Sequence, residues 1–123
     1  MSGNASLDRN DGSRRAQLLK GLAELALLSL LRDGPQYGLA ILDRLRQEAG
    51  LQLAPGTIYP LLHRLQKARL VRSEWRIDEA GARPRKYYAL SKSGAAELEF
   101  QTAEWRALSR ALGAFLTRKP GHD

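Results

Sequence analysis

The chain has 123 residues, 43% of them hydrophobic, and a formal net charge of +7, from 20 Lys and Arg against 13 Asp and Glu. That length suffices for one compact domain and excludes an enzyme with separate substrate and cofactor domains. With no cysteine, a disulfide framework and a thiolate metal site are also excluded, and a cytoplasmic setting is the default expectation.

Residues 1–12 are polar, rich in Ser, Asn, Asp and Gly, and lack a periodic apolar pattern, which predicts a disordered N-terminal tail. From Ser13, read as the N-cap, Leu18, Leu22, Leu25, Leu28 and Leu31 recur at three- and four-residue steps and predict a helix that Asp33-Gly34-Pro35 stops. Ser13-Arg14-Arg15 ahead of this run is superficially similar to a twin-arginine secretion signal. Lys20 and Glu24 interrupt the apolar stretch, however, and no small-residue cleavage site follows before Arg32-Asp33. The run is also too short and too charged to span a bilayer, so a buried helix is expected and no membrane partner. A second helix is predicted from about Gln36 to Ala49, with Ile41, Leu42, Leu45 and Ala49 on one face and Gly50 as its stop.

The third helix opens at Pro55, where a missing amide costs nothing because it would have no partner within the helix. Ile58, Leu61, Leu62 and Leu65 form its apolar face, leaving Thr57, Tyr59, Pro60, His63, Arg64 and Lys67 outward. Hydroxyl, imidazole and cationic groups of this kind hydrogen-bond base edges and phosphates, whereas a merely solvated face is usually dominated by Glu and Lys. Pro60 is expected to bend the helix or leave its first turn irregular.

Next comes a partly alternating stretch from Leu70 to Ile77, with Val71, Ser73, Trp75 and Ile77 on one side. A Gly81-containing turn leads to a second strand-like run, Tyr87-Tyr88-Ala89-Leu90. This predicts a β-hairpin, a wing, with Arg83, Arg85 and Lys86 near its tip and one of Tyr87 and Tyr88 in the core. Between Pro55 and Leu90 eight basic residues face three acidic ones, a clustering that suits a phosphate-binding surface. The acidic turn residues Asp78 and Glu79 would repel phosphates, so contacts are expected from the Arg83 side.

Three segments in this order, Gly34-Pro35-x-Tyr37-Gly38, Pro55-Gly56-Thr57-Ile58-Tyr59-Pro60 and Arg83-Pro84-Arg85-Lys86-Tyr87-Tyr88-x-Leu90-Ser91, resemble the PadR-like transcriptional regulators over about residues 18–116. The resemblance implies a winged helix-turn-helix homodimer, usually a repressor, of the short branch with a single C-terminal helix. It also implies that Tyr37, Thr57, Tyr59 and the wing Arg and Lys residues lie at the DNA surface. One departure is Ala54, where the family often has a Ser or Thr cap, a loss of about 1 kcal/mol of helix capping.

Ser91 is the expected N-cap of a last helix reaching about Thr117, in which Leu98, Trp105 and Leu112 are spaced as heptads, as are Leu108 and Phe115. Its charges balance, so it is expected to serve dimerisation through Leu98, Trp105, Leu108, Leu112 and Phe115, with the Leu-rich first helix helping. Trp105 has two readings, a large interface side chain or a platform for a flat aromatic effector of the kind that some similar regulators bind between paired tryptophans.

The resulting expectation is a mainly α fold with a small β-hairpin. Its parts are a tail (1–12), a winged helix-turn-helix (13–90), a dimerisation helix (91–117) and a flexible end (118–123). The function expected is a sequence-specific transcriptional regulator, a repressor binding double-stranded DNA as a homodimer on an inverted repeat and released by a small aromatic ligand. Candidate DNA contacts are Tyr37, Gly56, Thr57, Tyr59, His63, Arg64, Lys67, Arg83, Arg85 and Lys86. The alternative is a nonspecific architectural DNA-binding protein, against which the outward Thr57, Tyr59 and His63 argue. No phosphate-cradling loop, nucleophile constellation or metal cluster is legible, so no enzyme, cofactor or metal is expected.

Overall fold

The structure, a computed structural model, describes residues 2–77 and 83–121, with side chains from residue 14 onward. In chain order it runs α1 (Ser2–Leu31), β1 (Gln36–Tyr37), α2 (Gly38–Ala49), α3 (Pro55–Lys67), β2 (Val71–Arg76), β3 (Arg85–Leu90) and α4 (Lys92–Leu116). The strands form one antiparallel sheet in the order β1-β3-β2, with Tyr37 opposite Tyr87 and Arg76 opposite Arg85. The acidic wing turn expected at 78–81 and His122 lie outside the described residues.

Two starts differ from the sequence reading. Helix α1 begins at Ser2, so Ser13 sits inside it rather than capping it. The polar residues expected to form a disordered tail continue the helix, since each added residue needs only propagation once the nucleus exists. Residues Gln36 and Tyr37, expected to open α2, are instead extended and pair with Tyr88 and Tyr87. Their backbone groups are satisfied by the wing rather than by a helical turn, and α2 starts at Gly38.

The core gathers one face of each helix: Ala23, Leu27, Leu28, Leu30 and Leu31 of α1, Ile41 and Leu45 of α2, Ile58, Leu61, Leu62 and Leu65 of α3, and Leu98 of α4. Val71 and Tyr88 add the inner face of the sheet. Of the expected stripe of α1, Leu28 and Leu31 are buried, whereas Leu18 is exposed and Leu22 and Leu25 are only half-buried, and Ala23, Leu27 and Leu30 complete the buried face. Leucines surround this helix and satisfy more than one helical stripe; packing selects among them.

The end of α3 and the start of α4 are joined at one point. Leu70 N–H donates to the Leu65 carbonyl (3.0 Å) and Arg69 N–H to that of Gln66 (2.9 Å), a Schellman-type closure with Arg69 in the left-handed region (φ 63°). Ser91 caps α4 as expected, its Oγ accepting from Gly94 N–H at 3.0 Å while lying 2.7 Å from the Arg69 carbonyl. Gly94 packs directly on the Leu70 carbonyl, where no Cβ would fit. The long helix α4 is thus seated on the exit of α3, which fixes its direction relative to the outward face of α3.

Candidate nucleic-acid interface

Helix α3 starts without a side-chain cap. The Ala54 carbonyl accepts from Thr57 N–H (2.9 Å) and Ile58 N–H (3.1 Å), and Pro55 occupies the first turn. The helix continues through Pro60, whose missing amide would have bonded the Gly56 carbonyl. With Ile58, Leu61, Leu62 and Leu65 buried, Gly56, Tyr59, Pro60, His63, Arg64 and Lys67 are exposed, and Thr57 is half-buried.

Tyr59 is held in place by Gly38. A Cβ at Gly38 would overlap the Tyr59 hydroxyl and lie 2.8 Å from its Cε1, so the first residue of α2 must lack a side chain for the ring to pack there. The glycine of one motif and the tyrosine of the other are therefore a single contact. Arg64, a candidate DNA contact, pairs with Glu24 of α1 at 3.0 Å; Glu24 also accepts from Gln101 of α4 at 2.6 Å. Arg64 is an exposed side chain already tied to a carboxylate. Within α2, Arg44 is similarly committed to Asp33 (2.9 Å) and Glu48 (2.6 Å), and its hydrogen bond holds the Glu48 carboxyl below its ordinary pKa.

Arg85 and Lys86 are the first residues of β3, opposite Arg76 and Trp75, at the end of the hairpin that leads into its turn. Their register divides the sheet into two faces. Val71, Ser73, Lys86 and Tyr88 share the inner one, where Ser73 Oγ accepts from Gln66 Nε2 (2.7 Å) and Lys86 Nζ stands 5.7 Å over the Tyr88 ring. Tyr88 is the buried member of the tyrosine pair. Burial pushes its phenol above the ordinary pKa, with a smaller contribution from Tyr59.

The outer face carries Tyr37, Tyr87, Glu74, Arg76 and Arg85. The Tyr37 and Tyr87 rings lie 5.7 Å apart at 56°; the Arg85 guanidinium stands 4.7 Å from the Tyr37 centroid and that of Arg76 5.1 Å from Tyr87. Tyr37, half-buried, thus connects the wing to the start of α2. Arg83 is exposed just before β3. Arg76 was not singled out from sequence, because its position opposite Arg85 depends on cross-strand register; the charge count of the window was the available signal.

The exposed face of α3 beside a cationic wing is the arrangement that the three motifs together implied. Residues 27–100 match the family model described as the transcriptional regulator PadR-like family. The chain belongs to that family. Among solved structures, a PadR family transcriptional regulator from Eggerthella lenta superposes with a TM-score of 0.81 at 31% identity, over 94% of this chain and 99% of that one. A PadR-like regulator from Bacillus cereus gives 0.76 at 29% identity, over 84% and 99%. A curated relative, described as an uncharacterized 37.1 kDa protein in transposon TN4556 of Streptomyces fradiae, is 35% identical over 88 residues. That match takes in 71% of this chain and 24% of the relative, so the chain spans about a quarter of that protein's length.

A second feature of this PadR-like regulator lies away from the wing. Between α1 and α4 runs an open groove of about 980 Å³, lined by Leu18, Leu22 and Leu25 on one side and Trp105, Leu108 and Leu112 on the other, with Glu97, Gln101 and Glu104 along it. Of the residues assigned to dimerisation, Leu98 belongs to the core of the single chain instead, packed under α1. Trp105, Leu108, Leu112 and Phe115 are exposed. Among the described residues, no His, Cys, Asp and Glu cluster could hold a metal ion, and no helix is long and apolar enough to cross a membrane.

Proposed function

We propose that this PadR-like regulator is a repressor that binds an inverted-repeat operator as a homodimer. In this reading α3 enters the major groove, the wing lies along the backbone, and a flat aromatic ligand in the α1–α4 groove beside Trp105 releases the DNA. The observation that carries it is the division of α3: four apolar side chains buried, with Tyr59, His63 and Lys67 exposed along the opposite side. Such groups contact base edges and phosphates, and a helix packed against α1, α2 and β2 presents them rigidly. The exposed seam of α4, continuous with Leu18 and the half-buried Leu22 and Leu25 of α1, supports pairing of two copies, because an apolar surface of this extent is stable only when covered. Two-fold symmetry would then present two α3 helices to half-sites one helical turn, or a multiple, apart.

The test is a titration, at fixed physiological salt, of duplex from the region upstream of the gene against random duplex. A specific regulator prefers the former by about a thousandfold or more; equal affinities would identify a nonspecific architectural binder. In the same assay, planar aromatic compounds should release the upstream duplex from the wild type and not from Trp105→Ala. Unchanged release by that variant removes Trp105 from the effector site.

A further inference from the structure

We infer that Arg76 and Arg85 act together as one clamp for a single phosphodiester group, and that Tyr37 and Tyr87 are the positioning residues that hold the clamp open. This rests on the reading of the wing as a backbone-binding element. The two arginines are directly opposite one another across β2 and β3, a placement that brings side-chain origins to within about 5 Å and is unfavourable for like charges. The sheet accommodates the pair by giving each guanidinium its own ring on the same face. Arg85 lies over Tyr37 at 4.7 Å and Arg76 over Tyr87 at 5.1 Å, and the two rings contact each other at 5.7 Å. Glu74, also on this face, takes Arg76 Nη2 at 2.6 Å and Nε at 3.2 Å through one oxygen, which steers that side chain and offsets part of its charge.

The chemistry follows from the pieces. Two guanidiniums on one sheet face, each stacked on its own ring, and a single carboxylate bonded to one of them leave a local excess of positive charge there. Guanidinium forks match the oxygens of a phosphate, and stacking pre-organises them so that little side-chain freedom is lost on binding. Tyr37 belongs to β1 and stands at the N-cap of α2, so the ring under Arg85 also ties the clamp to the element that supports Tyr59. A phosphate gripped here would set the register of α3 along the duplex.

The experiment compares Arg76→Ala, Arg85→Ala, the double variant, Tyr37→Leu and Tyr37→Phe in the full chain, each checked for an unchanged thermal transition. In DNA titrations, each single arginine variant should bind upstream and random duplex about tenfold more weakly, with the double variant little worse than either. The double variant should lower the slope of log K against log salt by about 0.9, the value for one phosphate; a fall of about 1.8 would mean two independent contacts and overturn the clamp. Tyr37→Leu should behave like Arg85→Ala while Tyr37→Phe keeps wild-type affinity; equal losses in both would place the role in the hydroxyl and overturn the positioning.

A readout without DNA separates this inference from the functional reading. The Nε–H signals of Arg76 and Arg85, assigned from the single variants, should move together along one saturation curve as inorganic phosphate is added to wild type, and not in Tyr37→Leu. Separate curves, or no movement, overturn the clamp even if the protein binds its operator. Joint movement with no DNA binding would keep the clamp and overturn the wing's proposed partner.

Discussion

At the scale of single residues, one tight fit lies between Gly38 and Tyr59. A methyl group at residue 38 would occupy the position of the Tyr59 hydroxyl, so the ring, the far end of a side chain that is 40% exposed, must move aside. Gly38→Ala is therefore expected to destabilise the fold by about 1–3 kcal/mol through overpacking. It should also swing Tyr59 from its place on the outward face of α3 and weaken operator binding. The cause can be isolated by a double-mutant cycle: Gly38→Ala in a Tyr59→Leu background should cost much less than in the wild type, giving a coupling well outside the ~0.5 kcal/mol within which independent sites add. Additive effects would place the clash elsewhere. Arg69 is a different kind of special residue, holding a left-handed conformation that costs a side-chain-bearing residue about 1–2 kcal/mol so that the chain can turn from α3 into β2.

At the scale of elements, α3 begins with an extended Ala54 (φ −82°, ψ 153°) that already has the backbone of an N-cap and lacks only the side-chain oxygen. Ala54→Ser should supply it to one of the first amides and stabilise the protein by about 1 kcal/mol, visible as a rise of several degrees in the thermal midpoint. A midpoint unchanged or lowered would show that the Ala54 carbonyl, already shared by Thr57 and Ile58, leaves no amide to cap. The same helix shows what was legible in the sequence. Its start and buried face follow from Pro55 and a single clean stripe, and α4 follows from Ser91 and its heptads. The buried face of α1 is only half legible, through Leu28 and Leu31, because Leu18, Leu22 and Leu25 make as good a stripe as Ala23, Leu27 and Leu30, and only packing distinguishes them. Strand β1 has two residues and no period of its own; it exists because Tyr87 and Tyr88, far along the chain, bring partners to it. The position of Arg76 opposite Arg85 is likewise a product of register, invisible until the strands pair.

At the scale of the whole molecule, α4 is 25 residues long, or about 37 Å at the rise of an α-helix, and within this chain its core contribution is made near its start. Beyond Leu98, Trp105, Leu108, Leu112, Phe115 and Leu116 face solvent in the single chain, with Leu108 at 63% exposure. Water should not be their final environment: burying such side chains is favourable at about 25 cal/mol per Å² of apolar surface, and a second copy offers a matching seam. Leu108→Glu should therefore act on association and spare the fold. Two carboxylates brought into one symmetric apolar interface are expensive to desolvate, so sedimentation should show the variant as monomer at concentrations where the wild type is dimer, with Kd raised about a hundredfold or more. Its thermal transition should become independent of protein concentration, while circular dichroism keeps the helical content of the wild type. Operator binding should fall to that of an isolated half-site, because the second α3 no longer arrives at high effective concentration. Leu98→Glu provides the contrast: that leucine is 3% exposed inside the core of a single chain, so its replacement should unfold the protein rather than separate two copies. If Leu108→Glu remained a dimer of unchanged affinity for DNA, the two heads would have to be joined through another surface, and the groove beside Trp105 would lose its place at the centre of the assembly.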